Sequence, residues 1–157
     1  MPAQRPIPTP ILWRALVAVW VPLLAGCSSI APPRGARETE RTLTVTAYCS
    51  CPECCGWRRN WLWRPVYASG PRAGQRKTVG LTAAGTRARP GVISADTSVY
   101  PFGTVMYIPG YGYGRVEDRG GAIQGPERIE VYFRNHTAAR AWGRQRASVR
   151  VWTPGAQ

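Results

Sequence analysis

Residues 92–118 read VISADTSVYPFGTVMYIPGYGYGRVED, and this pattern is the clearest indication of fold class in the chain. The stretch contains three short strand candidates, at Val92–Ala95, Thr104–Ile108 and Arg115–Glu117. Glycine and proline punctuate the intervals between them, which favours short strands joined by tight turns over helices. The pattern therefore predicts a β-rich domain.

The flanking sequence continues this pattern on both sides. Upstream, Thr42–Tyr48 alternates apolar residues with threonines, as expected of a strand with one buried face. Downstream, two more strand candidates span Arg128–Arg134 and Ser148–Trp152. Six short strands in a chain of 157 residues predict one domain, built as a small closed β-barrel.

One short helix and one insertion interrupt the predicted strands. Ala138–Trp142 suits a helix, with Thr137 as the expected N-cap and Gly143 as the residue that ends it. The segment Trp57–Leu81 is basic, punctuated by glycine and proline, and has no clear period. We therefore expect a mainly β fold with one short helix and a long basic insertion loop.

The N-terminal residues have the pattern of a processing signal. Two arginines precede the apolar run Ala15–Ala25, which has the length of a secretory core and is too short to span a bilayer as a helix. Residues 24–27 (LAGC) then resemble the lipobox of bacterial lipoproteins, in which the cysteine, here Cys27, is acylated and becomes the first mature residue. With Ser28 next, the resemblance implies a lipid anchor in the outer membrane, facing the periplasm.

These signals divide the chain into four segments. We expect a signal peptide at 1–26, a lipidated flexible tether at 27–40, the β-barrel domain at 41–153 and a tail at 154–157. The formal net charge of +13 attracts polyanions of any kind. Because export makes nucleic acid an unsuitable partner, we expect the membrane surface and the cell wall instead. The sequence leaves the oligomeric state open.

Three of the eight acidic residues lie in distinctive surroundings. Asp96 follows a strand candidate in VISADTSVYPFGT, Asp118 lies in RVEDRGGAIQG, and Glu130 lies in RIEVYF. Taken alone, Asp96 and Asp118 also have the surroundings of turn residues whose side chains bind backbone amides. A catalytic role and a turn role are both open at this point.

In order along the chain, these segments resemble the 3D domain, a family named for three aspartates and found in membrane-bound lytic transglycosylase A and in stationary-phase muralytic proteins. The resemblance covers essentially residues 41–152. The matching motifs are TAY (46–48), TAAGT (82–86), ISAD (93–96), PFGT (101–104), IPGYG (108–112), ED (117–118), GGAIQG (120–125), RIE (128–130) and AWG (141–143). Two features depart from the family pattern, because Glu130 replaces the third aspartate and the loop GPER carries one additional residue.

The resemblance implies a double-psi β-barrel with a groove of acidic residues, and cleavage of the MurNAc–GlcNAc bond of peptidoglycan glycan strands without water or a cofactor. Breaking a glycosidic bond requires a proton on the leaving oxygen, and a carboxyl group holds it near neutral pH only if its pKa is raised. We expect Asp118 to be this acid/base, with Asp96 and Glu130 tuning its pKa or holding substrate. The residues expected to bind substrate are Tyr48, Thr82, Gly85, Gly120 and Gly121.

A second cluster consists of cysteines in the pattern C-x-C-x-x-C-C, at Cys49, Cys51, Cys54 and Cys55. In an exported protein an even number of cysteines favours disulfides. The C-x-x-C spacing also suits zinc or an iron–sulfur cluster, although no distant second pair of ligands is evident. Disulfides, a metal site and thiol redox chemistry therefore remain open. We expect His136, the one histidine of the sequence, to be a solvated loop residue.

Two further functions remain open beside glycan cleavage. The replacement at Glu130 and the longer loop favour a non-catalytic lipoprotein that binds the cell wall or a partner. The cysteine cluster favours a metal or thiol module built on the same barrel.

Replacing Cys27 with alanine tests the expected anchor. Without the acyl chains, the protein should move from the membrane to the soluble fraction or remain unprocessed, because buried methylenes provide the attachment. Fractionation and the mass of the mature N-terminus measure this. A membrane-bound, normally processed Cys27→Ala variant would contradict the expectation.

Overall fold

The computed structural model describes residues 30–154, so Cys27 and the expected signal peptide lie outside the described residues. Its elements in chain order are β1 (Glu38–Tyr48), α1 (Pro52–Cys55), β2 (Trp57–Arg59), β3 (Pro65–Tyr67), β4 (Val92–Ala95), β5 (Val105–Ile108), β6 (Gly112–Asp118), β7 (Arg128–Tyr132), α2 (His136–Trp142) and β8 (Gln145–Trp152). Within residues 30–154, no helix has the length and apolar character needed to cross a membrane.

Six of these strands close into a barrel in the order β1-β7-β4-β6-β5-β8. β1 pairs in parallel with β7 and antiparallel with β8, while β4 pairs in parallel with β6 and antiparallel with β7. β5 completes the ring by antiparallel pairing with β6 and β8. The expected six-stranded double-psi barrel is therefore confirmed, as a mixed sheet in which closure pairs every strand on both sides.

Apolar side chains, which alternate with polar residues along strands such as β1, fill the barrel interior. On β1, Leu43 and Val45 are buried while Thr44 and Thr46, which alternate with them, are partly exposed. Fully buried side chains from the other five strands include Ile93, Met106, Val116, Ile129 and Val149. Because burying a side chain of this size contributes about 1.5–3 kcal/mol, this interior is the main source of stability.

Strands β1 and β6 are among those that extend further than the sequence pattern predicts. β1 begins at Glu38, because residues 38–40 pair with residues 150–152 of β8. The last three residues of the expected tether are thus part of the barrel. β6 begins at Gly112, where it pairs with Ile108 of β5. In both cases the partner strand, rather than the local apolar pattern, sets where the strand starts.

The expected insertion loop is partly ordered by strand pairing. β2 and β3 form a two-stranded antiparallel sheet outside the barrel, and Val66 of β3 is buried. The turn between these strands carries Trp61 and Trp63, whose exposed fractions are 85% and 76%. Periodicity does not reveal this sheet because each strand has only three residues.

Helix α2 begins earlier than expected. The residue that caps it is Asn135 rather than Thr137, since Asn135 Oδ1 accepts a hydrogen bond of 2.8 Å from the backbone N–H of Ala138. Gly143 ends the helix as expected, and its N–H donates to the carbonyl of Ala139. Asn and Thr are both good caps, so composition alone does not choose between them. The earlier start places His136 in the first turn.

Gly114 offers a test of barrel packing, because a Cβ there would lie 2.6 Å from Ile93 Cδ1 and 3.1 Å from the carbonyl oxygen of Gly91. We expect Gly114→Ala to lower the free energy of unfolding by about 1–3 kcal/mol through overpacking. Gly121→Ala is the matched control, since its Cβ would meet nothing within 4 Å, and it should change stability by at most about 0.5 kcal/mol. Urea unfolding measures both, and equal effects would contradict the packing described.

Candidate functional site

A groove of about 710 Å³ opens where β1, β6 and β7 end beside the insertion. Its lining includes Tyr48, Thr82, Asp118, Gly120, Gly121 and Glu130. Four of the five residues expected to bind substrate, namely Tyr48, Thr82, Gly120 and Gly121, thus line one groove with two of the three expected acidic residues.

Asp118, the last residue of β6, receives three hydrogen bonds. The Tyr48 hydroxyl donates to Oδ2 at 2.9 Å. The backbone N–H groups of Ala83 and Arg119 donate to Oδ1 at 3.0 and 2.9 Å. Oδ1 is thus committed to two amides, whereas Oδ2 keeps a lone pair for a further partner.

Tyr48 is placed for this contact by the barrel itself. It is the last residue of β1, it is buried, and its ring packs edge-to-face on Tyr132 at a centroid distance of 5.3 Å. Burial and the negative charge of Asp118 raise the pKa of the Tyr48 hydroxyl far above its ordinary value. Tyr48 therefore remains protonated and acts as a donor to Asp118.

Glu130 lies on β7, deeper in the same groove. Its Oε1 accepts a hydrogen bond of 3.2 Å from the Thr46 hydroxyl on the neighbouring strand. Burial raises the pKa of Glu130, the Thr46 hydrogen bond opposes this, and the charge of Asp118 raises the pKa further. Gly120 lets the chain pass close by, since a Cβ there would lie 3.3 Å from Glu130 Oε2. The balance of these effects raises the pKa of Glu130 above its ordinary value.

Asp96 is not brought to this groove. Its Oδ1 accepts hydrogen bonds from the N–H and hydroxyl of Ser98 at 3.0 and 2.6 Å, and its Oδ2 accepts from the N–H of Gly125 at 2.8 Å. These donors lower the pKa of Asp96, the Ser98 hydroxyl most strongly. Asp96 therefore has the turn-residue geometry and ties the loop after β4 to the loop before β7.

Gly85 also lies outside the groove lining, and it acts through the turn that contains it. Its N–H donates to the carbonyl of Thr82, and its φ of 80° is a conformation that favours glycine. This turn presents the N–H of Ala83 to Asp118. Gly85 thus shapes the turn that supplies a donor to the carboxylate, and its contact with substrate stays a prediction.

An ion pair behind this turn, between a buried carboxylate and a half-exposed guanidinium, is not evident from the sequence. Glu117 is buried, and Arg89 binds it with two hydrogen bonds of 2.9 and 3.0 Å. The hydroxyl of Thr86 donates to Glu117 as well, at 2.5 Å. The paired geometry makes each charge satisfy the other. Together these contacts fix the turn against β6, immediately before Asp118.

The rim of the groove is basic. Arg72, Arg76, Lys77 and Arg119 line it, the first three coming from the insertion and its continuation. Arg72 and Lys77 both lie over the ring of Tyr67, at 4.1 and 4.6 Å from its centroid. A cationic rim around a carboxylate pair attracts ligands that carry negative charge.

The cysteine cluster lies beside the groove, with Cys54 and Cys55 in its wall. All four cysteines of the described residues are free thiols, so the expected disulfides are not formed in this structure. His136 is not a solvated loop residue, because its Nδ1 lies 3.5 Å from Cys51 Sγ and 3.4 Å from Cys54 Sγ. Together with Cys49, these residues form a Cys₃His group within metal-binding distance.

Comparison with known proteins shows what the closed mixed barrel and its acidic groove resemble. Residues 91–153 match the model of the 3D domain, and this match includes β4 to β8 while β1 precedes it. This part of the chain is therefore similar to the 3D domain, as the sequence motifs indicate.

Two relatives from Bacillus subtilis (strain 168) share this similarity. YabE, whose name describes cell wall shaping, is 35% identical over 60 residues, which are 38% of this chain and 14% of YabE. The cell wall-binding protein YocH is 40% identical over 60 residues, which are 38% of this chain and 21% of YocH. The similarity thus spans a small part of each relative.

Glu130→Gln tests the electrostatics of the groove. Because the pKa of Glu130 is raised in the folded state, its contribution to stability is fully present below its unfolded pKa of about 4.3 and is lost as pH rises through the folded pKa. Glutamine removes this loss, so from pH 4 to pH 7 the free energy of unfolding of the variant should improve relative to wild type.

Urea unfolding at several pH values measures this difference. Glu127→Gln is the control, because Glu127 is exposed and lies outside the groove lining, and its difference from wild type should stay constant with pH. A pH-independent difference for Glu130→Gln as well would show that the Glu130 carboxyl is not held in a shifted environment.

Proposed function

We propose that this chain is a lytic transglycosylase of the cell envelope, which cleaves the MurNAc–GlcNAc bond of peptidoglycan by carboxylate acid/base catalysis. The observation that carries the proposal is the meeting of Asp118 and Glu130 in one groove, with Tyr48 donating to Asp118. The 3D domain and the cell-wall names of its relatives support the choice of substrate.

Asp118 is the proposed acid/base, and its Oδ2 is the atom that exchanges the proton. Oδ1 is held by two backbone amides, so Oδ2 is the oxygen with capacity to spare. Glu130 lines the same groove, so a second carboxyl group is available to bind the same strand.

The proposed reaction has two proton transfers through the same carboxyl group. Asp118 first gives its proton to the glycosidic oxygen as positive charge develops at the anomeric carbon. The resulting carboxylate then takes the proton of the 6-hydroxyl of the same MurNAc residue, whose oxygen attacks the anomeric carbon. The products are a free GlcNAc hydroxyl and a 1,6-anhydro sugar, and no water is consumed.

The groove also contains the means to hold a glycan strand. Gly120 and Gly121 allow the backbone to approach a sugar closely, and the cations Arg72, Arg76 and Arg119, which line the same groove, would attract the carboxylates of a stem peptide. Attachment through an acylated Cys27 would place this groove on the periplasmic side of the outer membrane, within reach of the wall.

A second candidate function is non-catalytic binding of the cell wall. The name of YocH, a cell wall-binding protein, favours it, as does the presence of Glu130 where the family has aspartate. The same groove would then hold glycan strands without cleaving them.

Asp118→Asn separates the two functions. Asparagine keeps the size of the side chain and can accept the amide hydrogen bonds, but it cannot give or take a proton. Because general acid–base catalysis contributes about 10²–10⁴-fold, release of soluble fragments from purified sacculi should slow by at least about 100-fold. Binding to sacculi should be largely preserved.

Glu127→Gln serves as the matched control, since it removes an exposed carboxylate outside the groove lining. It should release fragments at the wild-type rate. Near-normal turnover by a folded Asp118→Asn variant would remove Asp118 from the mechanism. Sacculus binding without any release by the wild-type chain would favour the binding function.

A further inference from the structure

The cysteine cluster and the one histidine of the described residues form a compact set of ligand atoms. The sulfur atoms of Cys49, Cys51 and Cys54 and a ring nitrogen of His136 all lie within 4.8 Å of one another. The cysteines lie at the end of β1 and on either side of Pro52, whereas His136 belongs to α2, 82 residues after Cys54. Barrel closure, not local sequence, brings them together.

Three of the separations within this set match those of a tetrahedral metal site. With Zn–S bonds of about 2.3 Å and a Zn–N bond of about 2.0–2.1 Å, two sulfurs lie about 3.8 Å apart and a sulfur and a nitrogen about 3.5 Å apart. In the structure, Cys49 Sγ and Cys54 Sγ are separated by 3.7 Å. Nδ1 of His136 lies 3.5 Å from Cys51 Sγ and 3.4 Å from Cys54 Sγ.

Hydrogen bonds alone do not account for this geometry. A neutral imidazole nitrogen offers one proton or one lone pair, so Nδ1 of His136 satisfies only one sulfur at a time. Two sulfurs nevertheless approach it at nearly equal distances. A cation at the centre would bind all four atoms at once, with the sulfurs as thiolates. The backbone N–H of Cys54 donates to Cys51 Sγ at 3.3 Å, which suits a thiolate.

The outer nitrogen of the histidine faces a carboxylate. Glu53 Oε2 lies 3.2 Å from Nε2 of His136, close but not aligned for a hydrogen bond in the described conformation. The Glu53 side chain is 77% exposed, so it is free to turn into alignment. A carboxylate on the outer nitrogen fixes the tautomer in which Nδ1 carries the lone pair, as metal-bound histidines require.

We propose that Cys49, Cys51, Cys54 and His136 bind one structural zinc ion, with Glu53 orienting the histidine. Four protein ligands leave no open position, which is typical of structural rather than catalytic zinc. Thiolate and imidazole ligands also favour zinc over hard cations, which prefer oxygen ligands. Cys55 is not a ligand, because its thiol donates instead to the carbonyl of Cys49 at 3.1 Å.

The site would hold one wall of the groove in place. Cys54 lines the groove, and Cys49 directly follows Tyr48, the donor to Asp118. Zinc would therefore tie the end of β1 and the turn of α1 to α2, and the free energy of binding would add to the stability of the folded chain. This inference does not depend on glycan cleavage, since a wall-binding domain needs the same support.

Metal content tests the proposal directly. The full-length chain, purified without a metal-affinity step and without reductant, should contain one zinc per chain by elemental mass spectrometry. After chelation under denaturing conditions, all four thiols of the cluster should react with a thiol reagent. Refolding with Co²⁺ should give thiolate-to-cobalt absorption and the visible bands of tetrahedral coordination.

Single variants assign the ligands, with Cys55→Ser as the matched control. Cys51→Ser and His136→Ala should lose bound zinc, whereas Cys55→Ser should keep one equivalent. Glu53→Gln should keep the stoichiometry but weaken zinc affinity by about 10–100-fold. If the ligand variants fail to fold, the cobalt spectra of wild type and Cys55→Ser, which should be identical, still decide the matter.

Several outcomes would overturn the proposal. They are a metal-free chain with four free thiols, a metal-free chain whose thiols are lost to disulfides, iron in place of zinc, and loss of zinc from Cys55→Ser.

Discussion

The pairing of β1 on both of its sides is the constraint on which the rest of the structure depends. β1 joins β7 in parallel and β8 in antiparallel register, and these two pairings close the barrel. The same strand ends at Tyr48, which donates to Asp118. The next residue is Cys49, a member of the Cys₃His group. Barrel closure, the groove and the cysteine cluster are therefore consequences of one strand, which lies ahead of the residues matched to the 3D domain.

The Glu130 carboxyl in the groove adds an electrostatic cost to the folded barrel. Glu130 is half-buried and its pKa is raised by burial and by Asp118, so its ionised form is disfavoured where the chain folds around it. The Thr46 hydroxyl, which donates to Glu130, offsets part of that cost. A carboxyl group with a shifted pKa in a groove is typical of functional sites, and in the proposed function Glu130 supports Asp118.

Much of the barrel can be predicted from the sequence, because period-2 alternation marks strands such as Thr42–Tyr48 of β1 locally. The groove can be expected only from the resemblance to the 3D domain. Each motif of that resemblance is a weak signal alone, and it is their order along the chain that is specific. Contacts between distant residues stayed hidden. The pairing of Arg89 with Glu117 and the approach of His136 to the cysteines depend on closure, which no local pattern reports. For Asp96, the sequence context is equally compatible with a catalytic site and with the turn that the structure shows.

The central claim is that the sugar's own 6-hydroxyl, rather than water, replaces the leaving group. Mass analysis of the soluble products released from purified sacculi by the wild-type chain tests this most directly. The proposed reaction should release fragments that end in 1,6-anhydro-MurNAc, each lighter by one water than the corresponding hydrolysis product. Fragments with reducing ends would contradict it and indicate a hydrolase, and the absence of any released fragment would contradict catalysis altogether.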